Sequence, residues 1–141
     1  MHQVYVVPVD TNTTVMNKRI ARFVADHMCK PYFNADYVEK FDHAVICQNN
    51  CSILGCALIK ESQQEFMVEC VCVHSNFRCQ GIGSEIMSQT LDHCSKNDVV
   101  LIVDNGPQEA ATKRFYERLG FEALAVQNVQ GETKMQYKQT L

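Results

Sequence analysis

The segment Val73-His74-Ser75-Asn76-Phe77-Arg78-Cys79-Gln80-Gly81-Ile82-Gly83-Ser84 joins the end of an apolar, β-rich run to the start of an amphipathic helical run. Gly81 and Gly83, preceded by Arg78 and Gln80, make a tight turn there. Backbone N–H groups in such a turn converge on an anion, and the following helix points its positive dipole end at it. Three anion loops are excluded in their standard forms. A Walker loop needs Gly-Lys-Ser/Thr, which this chain does not contain. The dinucleotide fingerprint needs a third glycine where Ile86 stands, and it follows the first strand of its array, whereas this turn comes late. A nucleophile elbow needs Gly-x-Ser-x-Gly, also absent. A glycine turn can also serve only to reverse the chain between strand and helix, so its context decides.

Other residues with chemical potential surround it. Glu65 and Glu69 alternate on the preceding strand and share a face. Cys70, Cys72 and His74 alternate in the same way. Three soft donors on one face could bind zinc, but a strand packed under helices is the preferred reading, and no metal is expected there. His2, His27, His43 and His93 form no pattern with a serine or cysteine that would suggest a hydrolase triad. Cys79, beside a helix start, has the setting of a thiol with lowered pKa. Lys113, Arg114 and Arg118 read as the solvated face of a helix.

The elements that must position these groups follow from periodicity. Gln3 to Val9 is β-rich. Thr11 or Asn12 is placed to cap a helix from Thr14 to Met28, with Val15, Ile20, Phe23, Val24 and Met28 along one side. A short helix is expected from Asn34 to Phe41. His43 to Gln48, Ser52 to Glu61 and Glu65 to His74 then read as an antiparallel meander. Gly83 to Cys94 is helical, with Ile86, Met87, Thr90, Leu91 and Cys94 on one face. Asp98 to Asp104 is a buried central strand. Pro107 suits the first turn of a helix that stops at Gly120. Phe121 to Gln127 and Thr133 to Lys138 close the chain as a hairpin. The order is β-α-α-β-β-β-α-β-α-β-β, an α/β (α+β) chain with a mixed central sheet of six to seven strands flanked by about four helices.

Bulk properties narrow the function. The 141 residues are expected to form one domain, 1–141, around one core. Apolar residues are 46% and charged residues 21%, an ordinary globular balance. A net charge of −3 gives no footprint for general nucleic-acid binding. No stretch reaches the roughly 18 apolar residues of a membrane span, and the N-terminus lacks a basic leader. The eight cysteines, several inside apolar runs, read as reduced thiols of a cytoplasmic, reducing compartment. Monomer and homodimer are both open.

Two motifs together carry a family resemblance. Arg78-Cys79-Gln80-Gly81-Ile82-Gly83 is similar to the Arg/Gln-x-x-Gly-x-Gly/Ala turn of the GCN5-related N-acetyltransferase (GNAT) family. Phe115, Tyr116, Leu119, Gly120 and Phe121 are similar to its aromatic-Tyr pair entering a Leu-Gly-Phe turn. The order of elements also agrees, so the resemblance spans nearly the whole chain. It implies acetyl-coenzyme A as co-substrate, with no metal. Arg78, Cys79, Gln80, Gly81, Ile82, Gly83 and Ser84 would hold the pyrophosphate. Cys79 stands where relatives often have glycine, so it must accept an ordinary backbone conformation or the loop is reshaped.

The resemblance further implies that the strand Glu69 to His74 splays from Val99 to Val103, with the pantetheine arm in the gap. Backbone near Val71, Cys72 and Val73 would bind that arm, and the N–H of Val71 or Cys72 would polarise the thioester carbonyl. Glu69 takes the general-base position, with Glu65 a weaker second. Tyr116 takes the place of the acid that protonates the thiolate. Phe115 and Asn105 are implied coenzyme contacts, but Glu109 stands where relatives often carry asparagine, which puts that contact in doubt. The acceptor would lie between Cys29 to Asp42 and Gln127 to Thr133. There Tyr32, Phe33, Asp36 and Tyr37 offer aromatic walls and a carboxylate to a cationic amine. A small-molecule primary amine is the expected acceptor, with a peptide or protein amine second. A non-catalytic acyl-coenzyme A sensor is the remaining reading.

Overall fold

A computed structural model describes residues 2–28, 32–62, 65–94, 98–104, 109–129 and 132–139. Its elements are β1 (Gln3–Pro8), α1 (Thr14–His27), α2 (Ala35–Val38), β2 (His43–Asn49), β3 (Ser52–Glu61), β4 (Glu65–Val73), α3 (Ile82–His93), β5 (Asp98–Asp104), α4 (Glu109–Arg118), β6 (Glu122–Val129) and β7 (Glu132–Gln139). A 3-10 turn, Ser75–Phe77, lies between β4 and α3. The chain is α+β with a mixed sheet. Strands β1 to β5 lie side by side in chain order, and the closing hairpin adds β7 and then β6 beyond β5. Every pairing is antiparallel except β4 with β5. That one parallel pair needs a crossover, and α3 is the crossover helix.

The sheet is covered on both faces, which explains why β3 is apolar at nearly every position. Ile53 to Ile59 are all buried. Leu54, Ala57 and Ile59 join Val45, Val68, Ile82, Ile86, Met87, Leu101, Tyr116 and Phe121 in one core. Ile53, Cys56 and Leu58 join Ile20, Phe23, Val24, Val38 and Ile46 in the other, under α1 and α2. Gly55 lets α3 approach. A Cβ there would lie 2.6 Å from Ile86 Cδ1 and 3.0 Å from the Cys72 carbonyl oxygen. The N-terminal half of α3 therefore rests almost on the backbone of β3.

Three local expectations differ from the structure. Val15 does not join the stripe of α1 and is 74% exposed. It precedes Val24 by nine residues, which at about 100° per residue places it on the opposite side of the helix. The N-cap of α1 is Thr13 rather than Thr11 or Asn12. Asp10 organises that start: its Oδ1 accepts from Asn12 N at 2.7 Å, and its carbonyl accepts from the buried Asn17 Nδ2 at 2.9 Å. The second helix is shorter than expected, Ala35–Val38; Asn34 is its N-cap, accepting from Tyr37 N at 3.2 Å, and Glu39 is its C-cap.

Candidate functional site

The sheet is sealed along only part of β4. Its pairing with β5 runs from Glu65↔Asp98 to Val68↔Leu101 and stops. On its other side β4 stays with β3 as far as Gly55↔Val73. Meanwhile β5 continues beside β7 to Asp104↔Lys134. Beyond Val68 and Leu101 the two strands therefore part, leaving a wedge between Glu69–Val73 and Ile102–Asp104. On that side β4 has no neighbouring strand beyond Val68, which makes the wedge a template for an extended ligand.

A bulge sits where the wedge opens. The β3 register jumps from Leu58↔Glu69 to Cys56↔Cys72, so two residues, Cys70 and Val71, face Ala57. Cys70 has φ +56°. Bulges add twist and re-aim side chains, and this one bends β4 as it leaves β5. Cys70, Cys72 and His74 nevertheless share a face as expected: Cys70 and Cys72 pack with the core under α1 and α2, and His74 packs against His27 of α1. Cys72 is buried, and burial pushes its thiol up to about 12 against the opposing effect of Arg78. A thiol held protonated in this way is neither a ready nucleophile nor a ready metal ligand. Glu69 is half-buried opposite Leu58, on the face covered by α1 and α2.

At the wide end of the wedge the chain turns into α3. Arg78 Nε donates to the Val73 carbonyl at 3.2 Å, tying the guanidinium to the end of β4. Cys79 has φ +64° and Gly81 φ +81°. Cys79 thus meets neither expected alternative: it keeps the left-handed conformation that suits the glycine often found there. A non-glycine residue in the left-handed region costs on the order of 1–3 kcal/mol and persists where its surroundings impose it. The first bond of α3 is Glu85 N to the Gly81 carbonyl, 3.0 Å. The N–H groups of Ile82, Gly83 and Ser84 therefore lack a partner within the helix and point out of its N-terminus. A Cβ at Gly81 would meet nothing within 4 Å, so the backbone is open on that side. A Cβ at Gly83 would lie 3.4 Å from Phe115 Cζ and 3.7 Å from Val73 Cγ2, which brings α4, α3 and the tip of β4 together.

Tyr116 follows directly. It is buried, with its ring 5.0 Å from Phe115 and 6.1 Å from Phe121. Gly120 at φ +93° ends α4, and Phe121 N donates back to the Tyr116 carbonyl at 3.1 Å. Tyr116 belongs to the α3/α4 core, and Glu69 lies on the opposite face of the sheet. Asn105 lies outside the described residues, as does the side chain of Glu109.

The aromatic loop is more committed to packing than its sequence implies. Phe33 is buried in the core under α1 and α2, while Tyr32 is exposed. Tyr37 packs on Phe33 at 5.0 Å and on Tyr32 at 6.5 Å. Lys40 Nζ sits 4.5 Å over the Tyr37 ring, so that ring already holds a cation of the chain's own. Asp36 is exposed.

One feature beside the turn has no signal in the sequence. His27, in the last turn of α1, packs against His74 at 4.2 Å, and His74 against Phe77 at 5.2 Å. His27 is held below the usual imidazole range, first by burial, then by His74, with Asp26 opposing and Arg78 adding to the effect. Residues 47 positions apart meet here only because α1 runs back over β4. Among the described residues Cys47, Cys51, Cys56, Cys72 and Cys79 are free thiols, and no helix is long and apolar enough to cross a membrane.

Residues 40–123 match the family model described as an acetyltransferase (GNAT) domain. A search of the curated proteins finds no match. Among solved structures, an acyl-CoA N-acyltransferase from Pseudomonas aeruginosa is similar over 99% of this chain and 100% of its own, with TM-score 0.79 and 16% identity. A ribosomal-protein-alanine N-acetyltransferase from Escherichia coli matches over 99% and 96%, with TM-score 0.76 and 14% identity. An aminoglycoside 6'-N-acetyltransferase complexed with coenzyme A matches over 96% and 96%, with TM-score 0.73 and 14% identity.

Proposed function

The chain belongs to the GNAT acetyltransferase family, and we propose that, as one domain over 1–141, it moves the acetyl group of acetyl-coenzyme A to a primary amine, foremost that of a small molecule. The observation that carries this reading is the wedge between β4 and β5, which ends at an anion-binding turn. A pantetheine arm is extended and amide-bearing, and it suits the edge of β4 from which β5 has parted. A pyrophosphate suits the free N–H groups at the start of α3 and the charge of Arg78. The coenzyme-bound aminoglycoside enzyme of the same fold supports the same ligand.

The reaction follows from that seating. An amine attacks the thioester carbonyl, the C–N bond forms, the C–S bond breaks, and one proton passes from nitrogen to sulfur. Glu69 takes the proton from the amine. A backbone N–H of Val71 or Cys72 donates to the carbonyl oxygen as it gains charge. Tyr116 gives a proton to the leaving thiolate. Glu69 and Tyr116 lie on opposite faces of the sheet, and the wedge is the opening between β4 and β5 through which the two faces communicate. The amine approaches from the α1/α2 face, past Tyr32 and Asp36. A cytoplasmic, reducing setting accords with the free thiols.

The test is acetyl transfer across a panel of small amines, peptides and proteins, with Tyr116→Phe as the decisive variant. That change removes one oxygen and keeps the ring. Turnover should fall on the order of 10²–10⁴-fold, with calorimetric affinity for acetyl-coenzyme A unchanged. Parent-like turnover removes Tyr116 from the proton path. A parent that binds acetyl-coenzyme A but acetylates nothing in the panel is a sensor instead.

A further inference from the structure

The far end of α3 holds a second constellation that acetyl transfer does not use. His43 opens β2, Glu61 closes β3 and His93 lies in the last turn of α3. They are 18 and 32 residues apart in sequence, yet one ligand atom from each lies within 4.8 Å of the others. His43 Nδ1 is 3.7 Å from Glu61 Oε1, and His93 Nε2 is 3.9 Å from the same oxygen. The two imidazole ring centroids lie 4.4 Å apart, with the planes tilted by 53°. We propose that His43, Glu61 and His93 form a binding site for a divalent transition ion of the zinc class, clipping the end of α3 to the ends of β2 and β3.

Four observations support the site. The separations are too long for hydrogen bonds, so the carboxylate is not simply bridging two N–H donors. His43 Nδ1 is buried without a hydrogen-bond partner, an arrangement folds normally avoid. A metal ion would satisfy that nitrogen. The size also fits. Zinc holds nitrogen and oxygen donors at about 2.0–2.2 Å, which places tetrahedral donors about 3.3–3.5 Å apart. Small side-chain rotations close 3.7 and 3.9 Å to that spacing. Finally, the backbone under Glu61 is held, with its N–H donating to Asp42 Oδ2 at 2.7 Å. The side chains of His43, His93 and Glu61 are 27%, 25% and 46% exposed, which leaves an entry path and room for a water as fourth ligand. The C-terminal, negative end of the helix dipole also favours a cation there.

Two imidazoles and one carboxylate exclude the hard-ion preference of calcium or magnesium and suit zinc, cobalt or nickel. The twelve residues of α3 separate this cluster from the glycine turn, about 18 Å along the helix. The ion is therefore a structural clip and takes no part in the transfer step.

The experiment is titration of the metal-free protein with Zn²⁺ by calorimetry, and with Co²⁺ by absorption. The expected result is one saturable ion per chain, visible cobalt bands without thiolate charge transfer, and a Tm several degrees higher with Zn²⁺. His93→Gln and Glu61→Gln should each weaken binding by at least about a hundredfold. The Tm of each variant in chelator, compared with the parent, confirms that the variant is folded. Thiolate charge transfer would mean that a cysteine, Cys94 beside the cluster or exposed Cys51 or Cys79, took the ion, and would overturn the assignment. So would unaltered affinity in folded His93→Gln, or no saturable binding in the parent.

Discussion

The two halves of β4 are built from similar residues and do opposite things. Glu65 to Val68 is locked between β3 and β5, and the side chain of Val68 is fully buried. Glu69 to Val73 keeps β3 and loses β5, and Cys72 is its one buried residue, with Cys70 packed toward the α1/α2 core and Val71 and Val73 toward the α3/α4 core. One half is a structural seam and the other an edge held open inside a sheet. The bulge at Cys70 marks the boundary. An open edge in mid-sheet is normally a liability. Here it coincides with a helix N-terminus and a glycine turn, which is the reason to read it as a ligand slot.

That contrast can be broken at three depths. The largest effect belongs to the open half. Glu69→Gln keeps size and removes the proposed base, so turnover should fall on the order of 10²–10⁴-fold. Higher pH should restore part of it, because more of the amine is then already neutral. Steady-state acetyl transfer against pH measures this, and parent-like rates at neutral pH would assign the base elsewhere. The closed half should respond in stability alone. Leu101 is fully buried in the seam, so Leu101→Ala should cost about 2–5 kcal/mol in denaturant unfolding. Activity per folded molecule should be retained. A large fall in that activity would mean that the seam also shapes the site.

A smaller effect is expected at the contact that sets α3 over the sheet. Gly55→Ala places a methyl group where Ile86 Cδ1 lies 2.6 Å away. Overpacking of this kind costs about 1–3 kcal/mol. It should also raise the Kd for acetyl-coenzyme A modestly, because the N–H groups of α3 shift with the helix. A stability loss with unchanged Kd would show that the turn is positioned independently of β3.

Much of this was legible in the sequence, for identifiable reasons. The long apolar run of β3, the stripe Ile86, Met87, Thr90 and Cys94, and the Leu-Gly-Phe stop each follow a strong local period or terminator. The wedge was legible only through the resemblance, since nothing in Val99 to Val103 announces that pairing ends at Leu101. The bulge at Cys70 was not legible, because a cysteine carries no preference for positive φ. Nor was the meeting of His27 with His74, or of His43 with Glu61 and His93. Such contacts depend on where separate elements end in space, and no spacing along the chain encodes that. Val15 misled for the opposite reason: an apolar residue at the first turn of a helix joins no stripe unless its angle agrees.

The central claim is that coenzyme A binds at the glycine turn, with its arm in the wedge. Its most direct test is calorimetric titration of acetyl-coenzyme A, ATP and NAD into the parent and into Gly81→Val. The backbone at Gly81 has φ +81° and faces open space, so a β-branched residue there must distort the turn. The parent should bind acetyl-coenzyme A and not ATP or NAD with comparable affinity, and folded Gly81→Val should lose that binding by an order of magnitude or more. Unchanged affinity in a folded Gly81→Val, or equal binding of ATP or NAD by the parent, would contradict the account.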